Sequence, residues 1–255
     1  MGSDPLFTKS ENHYSYTAYA DPAMAATFDA RRFGGPIGQM LVDDQERVVL
    51  AFLGNVTGRD ILDAGTGTGR AAVALASRGA RVTAIDASNE MLNVARQRAA
   101  ALGLAVEFSE GDVHGLAYPD RTFDAVVCLR VLMHAPDWRK ALFELCRVSR
   151  QRVVFDYPAA TSAALAQAVW RRSTSAFLSN VEAYRVFRPA RIARELHRHG
   201  FRVVSAHKQF VLPIALHKLI GSPRFTRAIE HALAAIGLLR VAGSPVTISA
   251  ERCAS

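Results

Sequence analysis

Short apolar runs at 59–64, 81–86, 105–109, 123–129, 152–157, 201–207 and 245–250 alternate with stretches in which apolar residues return at helical spacing. The runs predict seven strands. Between them the pattern predicts helices over 43–53, over 67–78 closed by Gly79, and from a Ser88 cap to Leu102 before Gly103. Asp137 is placed to cap a further helix whose Trp138, Ala141, Leu142, Leu145 and Val148 share one face. Two more helices are predicted over 160–180 and over 189–199, the second started by Pro189 and stopped by Gly200. Residues 209–244 read as an apolar, partly helical insertion before the last strand. Residues 1–40 read as irregular and aromatic (Tyr14, Tyr16, Tyr19, Phe28, Phe33), punctuated by Gly34-Gly35-Pro36. Strand–helix alternation of this kind implies an α/β fold: a doubly wound, mostly parallel seven-stranded sheet with helices on both faces.

The first strand ends in chemistry. Ile61-Leu-Asp-Ala-Gly-Thr-Gly-Thr-Gly69 carries Asp63 and then alternating glycines at Gly65, Gly67 and Gly69. A strand, a turn without side chains and a helix let backbone approach a ligand closely. The second strand, Arg81-Val-Thr-Ala-Ile-Asp86, ends in another carboxylate, which suits a pair of ribose hydroxyls. A dinucleotide fingerprint would require glycines at 65, 67 and 70, and position 70 is Arg. The same glycine spacing also serves a ligand-free strand–helix turn.

The bulk numbers narrow the class. With 255 residues, half of them hydrophobic, the chain has enough material for a single α/β domain over 1–255. No apolar run approaches the roughly 18–20 residues that span a bilayer, and the polar, acid-bearing N-terminus is unlike a signal peptide. Cys128, Cys146 and Cys253 are scattered and lack metal-ligand spacing, so a cytoplasmic protein without zinc or disulfides is expected. Charge is uneven: residues 138–255 carry 19 Lys and Arg against 6 Asp and Glu, leaving net −5 for residues 1–137. A basic half fits an anionic membrane, a nucleic acid, an anionic small molecule or a merely solvated surface.

The run from 59 to 157, about 40% of the chain, resembles the class I S-adenosylmethionine-dependent methyltransferases, a Rossmann-like family. It is most similar to the branch containing quinone-biosynthesis and other small-molecule methyltransferases. The resemblance rests on Leu62-Asp-Ala-Gly-Thr-Gly-Thr-Gly69, Val82-Thr-Ala-Ile-Asp86, Met91-Leu92, Glu110-Gly-Asp112, Phe123-Asp124-Ala-Val-Val and Leu132-Met-His134. It implies that Asp63 organises the glycine loop or reaches the ligand's amino end, that backbone at Gly65, Thr66 and Gly67 meets the methionine part of the cofactor, and that Gly69 belongs to the same cofactor-binding set. Asp86 would accept the ribose hydroxyls, with Ala87 and Met91 packing near the ribose and adenine. Asp112 would accept from the adenine amino group beside Val113, and Leu129 and Arg130 would flank the methionine moiety. Residues 58–157 would then be the cofactor-binding core, 1–42 a lid segment in which Arg31 or Arg32 meets the cofactor carboxylate, and 158–200 and 209–244 acceptor-side helices.

Methyl transfer from a sulfonium requires mainly positioning, and a hydroxyl or carbon acid can also need a base. His134 is the candidate base, with Asp156, Tyr157 and His114 behind it; an orienting role for His134 is the alternative. After the fourth strand the chain reads Cys128-Leu-Arg-Val-Leu-Met-His, without the Asn/Asp-Pro-Pro-aromatic motif of amino-group methylators. The Pro-Cys context of RNA cytosine methylators and the cysteine set of arsenic methylators are also missing. The expectation is O- or C-methylation of a small apolar or lipid-linked acceptor, producing S-adenosylhomocysteine. A peripheral contact of the apolar, basic 209–244 region with anionic membrane is a further expectation. RNA methylation and non-catalytic binding of S-adenosylmethionine are the rivals.

Overall fold

The computed structural model describes residues 21–160 and 185–254. Its centre is a seven-stranded sheet made of β1 (Asp60–Ala64), β2 (Arg81–Asp86), β3 (Val106–Glu110), β4 (Phe123–Cys128), β5 (Ser149–Tyr157), β6 (Phe201–Phe210) and β7 (Ser244–Arg252). The order across the sheet is β3-β2-β1-β4-β5-β7-β6. The first five strands run parallel, and β7 lies antiparallel to both β5 and β6. β1, β4 and the second half of β5 are buried almost residue by residue, as expected for parallel strands covered on both faces. Edge strand β6 is instead exposed over Arg202–Ala206 and carries Arg202 and Lys208, which discourage pairing with another chain.

Two apolar layers hold the helices. On one face, Val49 and Leu53 of α2 (Gly35–Leu53) and Leu75 of α3 (Arg70–Ala76) meet Ile61, Val82 and Val154. On the other, Leu142 and Leu145 of α5 (Trp138–Val148) and Ile192 and Leu196 of α6 (Pro189–Arg198) meet Phe155, Phe201 and Ile248. The capping predicted from sequence forms: Ser88 Oγ accepts from the Met91 amide at 3.2 Å to start α4 (Asn89–Ala101), and Asp137 Oδ1 accepts from the Arg139 and Lys140 amides at 3.1 Å.

Residues 21–40 are not irregular. They form α1 (Pro22–Phe33) and the first turns of α2. Asp21 caps α1, receiving the Ala23 amide at 2.9 Å, and Pro22 opens it. Gly34 and Gly35 break the chain only between two helices, with Gly35 at φ 76° and Pro36 restarting the next. Tyr14, Tyr16 and Tyr19, and the helix expected over 160–180, lie outside the described residues. α3 begins three residues later than expected because Gly65, Gly67 and Gly69 all have left-handed φ (76°, 55° and 79°), which an α-helix cannot contain. β6 and β7 are longer than their apolar runs because they pair with each other out to Phe210 and Ser244. The insertion resolves into α7 (Ile214–Ile220), α8 (Pro223–Ala235) and α9 (Leu238–Ala242). It is fastened to α2 where Ile37, Leu41 and Phe210 cluster with Ile214.

Candidate cofactor site

The strand order reverses between β1 and β4, where the crossovers leave in opposite directions and open a crevice at the carboxyl ends of the strands. A cavity fills this crevice. Asp63, Gly65, Thr66, Gly67, Asp86, Ala87, Met91, Asp112, Val113, Leu129, Arg130 and His134 all line it, drawn from four separate chain segments. Gly69 does not. A Cβ on Gly69 would stand 2.7 Å from the Ala95 Cβ, so this glycine serves the packing of the loop on α4.

The glycine loop is shaped by the neighbouring strand. The Gly65 and Thr66 amides both donate to the Ile85 carbonyl at 2.8 Å, and Thr66 Oγ1 donates to Asp63 Oδ2 at 2.6 Å. Asp86 is tied into the same frame: its Oδ2 accepts the Gly67 amide at 2.8 Å and its Oδ1 the Ser88 amide at 2.9 Å. The carboxylate is therefore oriented by backbone from two loops. Burial raises the pKa values of Asp63 and Asp86, that of Asp63 to about 6, with the Asp86 charge adding to the shift at Asp63.

Asp112 is oriented by a histidine. Asp112 Oδ1 receives the His114 amide at 2.8 Å and lies 2.6 Å from His114 Nδ1. The Asp137 amide donates to His114 Nε2 at 3.3 Å, so the imidazole proton sits on Nδ1 and is given to Asp112. His114 thus supports the carboxylate, and among the three secondary base candidates it is the one that lines the cavity. Tyr157 is buried in the core, and Asp156 lies behind the wall, where it accepts the Arg130 amide and Gln45 Nε2 (3.2 Å). That bond holds Arg130 at φ 62°, a left-handed conformation costly for a residue with a side chain.

The opposite end of the cavity is cationic. Arg70 stacks its guanidinium 3.3 Å from the centroid of the Phe33 ring, and Arg130 stands 5.4 Å from the same ring. Burial and the neighbouring Arg130 and Arg98 charges lower the Arg70 pKa to about 10, while Asp29 opposes the shift. Asp29 of α1 binds Arg98, receives Thr68 Oγ1 at 2.9 Å and lies 3.7 Å from Arg70, locking α1 to the glycine loop. Arg70 was the residue missed. Its position was informative in the sequence only as a failed glycine, although the residue after a glycine loop starts the helix that faces the ligand. Arg32 lines the cavity, whereas Arg31 points away toward Met24.

The observed surfaces fit S-adenosylmethionine. Among the described residues, Arg70 Nη1 is buried with no hydrogen-bond partner, and a Cβ at Gly67 would meet no atom within 4 Å. A guanidinium nitrogen lacking an acceptor and a bare stretch of backbone are what a carboxylate-bearing ligand would cover. Among the described residues no group of His, Cys, Asp and Glu is arranged to hold a metal, and no helix is long and apolar enough to cross a membrane.

Fold and cradle are similar to those of class I, S-adenosylmethionine-dependent methyltransferase domains. Residues 61–152 match the family model described as a methyltransferase domain. Over 92 residues the chain is 41% identical to the demethylmenaquinone methyltransferase of Deinococcus radiodurans, covering 35% of this chain and 38% of that protein. Over 101 residues it is 43% identical to the ubiquinone biosynthesis O-methyltransferase of Alkalilimnicola ehrlichii, covering 39% and 41% respectively. The chain thus spans about two fifths of the length of these relatives. In fold it is similar to the magnesium protoporphyrin IX methyltransferase of Synechocystis PCC 6803, with a TM-score of 0.63 and 23% identity over 92% of this chain and 99% of that one.

Proposed function

We propose that the chain transfers the methyl group of S-adenosylmethionine to a small apolar acceptor, by O- or C-methylation. The observation that carries the reading is the pairing of a built cofactor cradle with an adjoining apolar wall. Val42, Val49 and Leu50 of α2 and Ala71, Ala74 and Leu75 of α3 line the same cavity. The relatives named for quinone biosynthesis support an acceptor of this chemical kind. Once bound, the cofactor supplies a methyl group already activated on a sulfonium.

This chain's residues then bind and orient. Asp86 would take the ribose, Asp112 the adenine amino group, and Arg70 with Arg130 the carboxylate. His134 lines the cavity, is 8% exposed and is set by its own amide donating to the Val131 carbonyl at 2.8 Å. It would accept the proton of a hydroxyl or carbon acid. The 209–244 helices contribute no lining residue, so the apolar wall falls to α2 and α3.

The test is a transfer assay with methyl-labelled S-adenosylmethionine, purified protein and cell extract, partitioned between organic and aqueous phases. Label is expected in the organic phase. Label confined to the aqueous phase would sink the apolar acceptor and favour a polar metabolite or RNA. No label in either, with S-adenosylhomocysteine still bound in calorimetry, would favour a binding protein without turnover.

A further inference from the structure

The insertion helices present apolar side chains that neither the cavity nor the sheet uses. Leu216, Leu219 and Ile220 recur at the i, i+3, i+4 spacing of one face of α7, with Leu219 84% exposed. Phe225 of α8 is exposed, as are Leu238 and Val241 of α9 and Ile236 (72%) between them. Exposed apolar side chains gathered on consecutive helices mark an interaction surface.

The charges among them have one sign. Residues 211–243 contain Lys218, Arg224, Arg227 and Arg240, and a single acid, Glu230. Arg224, Arg227 and Arg240 are exposed, as is His231. Glu230 is withdrawn from the surface. Its carboxylate receives the Val211 and Leu212 amides at 2.7 and 3.0 Å and His217 Nε2 at 2.9 Å, and Thr226 Oγ1 completes the cluster 3.1 Å from His217 Nδ1. The carboxylate that would repel an anion is spent on holding α7 against α8, and what faces outward is apolar and cationic.

We infer that α7–α9 form a docking face for an anionic lipid bilayer, with Leu219, Phe225 and Ile236 entering the interface and Arg224, Arg227 and Arg240 meeting headgroup phosphates. A protein partner would need complementary acidic side chains around its apolar contacts; a bilayer supplies anionic charge and an apolar layer at once. The face adjoins the cavity, since Lys218 Nζ donates to the Arg32 carbonyl at 2.7 Å and Arg32 lines the cavity wall. The inference stands on this surface alone and does not depend on turnover.

Full-length protein is sedimented with vesicles of phosphatidylcholine and phosphatidylglycerol, and with vesicles of phosphatidylcholine alone. Binding is expected to the anionic vesicles, weakening as salt is raised. The double variant L219E/I236E and the double variant R224E/R227E are each expected to lower partitioning about tenfold or more. Both must retain the wild-type circular dichroism spectrum and calorimetric binding of S-adenosylhomocysteine, since no substituted residue touches the cavity. Absence of binding to anionic vesicles at low salt overturns the inference, as does equal binding to neutral ones. Concentration-dependent dimerisation that L219E/I236E abolishes, without vesicle binding, would reassign the face to a second copy of the chain.

Discussion

Asp63 has opposed effects on folding and on binding. Its folded pKa of about 6 lies above the ordinary 3.8, so the native state holds a proton more firmly than the unfolded chain. Its contribution to stability is therefore largest below the ordinary value and declines as pH rises toward about 6. Cofactor binding should run the other way, because the ionised form accepts the Thr66 hydroxyl and faces a ligand that carries ammonium and sulfonium charges. Calorimetric titration with S-adenosylmethionine should show affinity falling as pH drops through about 6, and Asp63→Asn should flatten that dependence. An unchanged pH profile in the variant would remove Asp63 from the binding account. At His134, substitution by Asn should lower turnover at least about a hundredfold if it is the base, with S-adenosylhomocysteine affinity preserved. Near-normal turnover would leave it an orienting residue. Asp86→Ala should abolish cofactor binding. It should also cost stability, roughly 1–3 kcal/mol for each orphaned amide of Gly67 and Ser88 that stays dry, so its melting temperature must be read beside its affinity.

Within the glycine loop, three residues alike in sequence divide into different tasks. Gly67→Ala places its methyl in space that none of the described residues occupies, so it should cost only the left-handed strain, about 1–2 kcal/mol, yet block cofactor binding. Gly69→Ala drives its methyl into Ala95 and should destabilise the fold by more than Gly67→Ala. Thermal melts with and without S-adenosylhomocysteine separate the two. The sequence could not make this division, because the spacing reports that backbone must come close and not whether a ligand or a helix is what approaches. Strands and capped helices were legible wherever burial is simple: β1, β2 and β4 are apolar runs, and Ser88 and Asp137 stand at their caps. α1 and the start of α2 were hidden by the glycines between them, although Ile37, Leu41 and Val48 already carried helical spacing. The site carboxylates were legible as strand-end acids, whereas Arg70 takes its meaning from tertiary neighbours, Phe33 and Asp29, that spacing alone does not reveal.

Across the whole molecule, the sheet is assembled out of sequence order. β7, the final strand, fills the gap between β5 and β6, pairing with β5 over Arg152–Tyr157 and with β6 along most of its length. Among the described residues β6 has no other neighbour in the sheet. A chain stopped after Gly243 should expose the apolar inner half of β5 and leave β6 unpaired; it should fractionate with inclusion bodies, where the full chain does not. Recovery of a monomeric, cofactor-binding truncate would show that β7 is dispensable. On the ribosome, the same arrangement gives β6 no mate until α7–α9 and then Ser244–Arg252 have cleared the exit tunnel. Until β7 emerges, a nascent chain thus carries an open seam that a chaperone, or a neighbouring polysome's product, can reach.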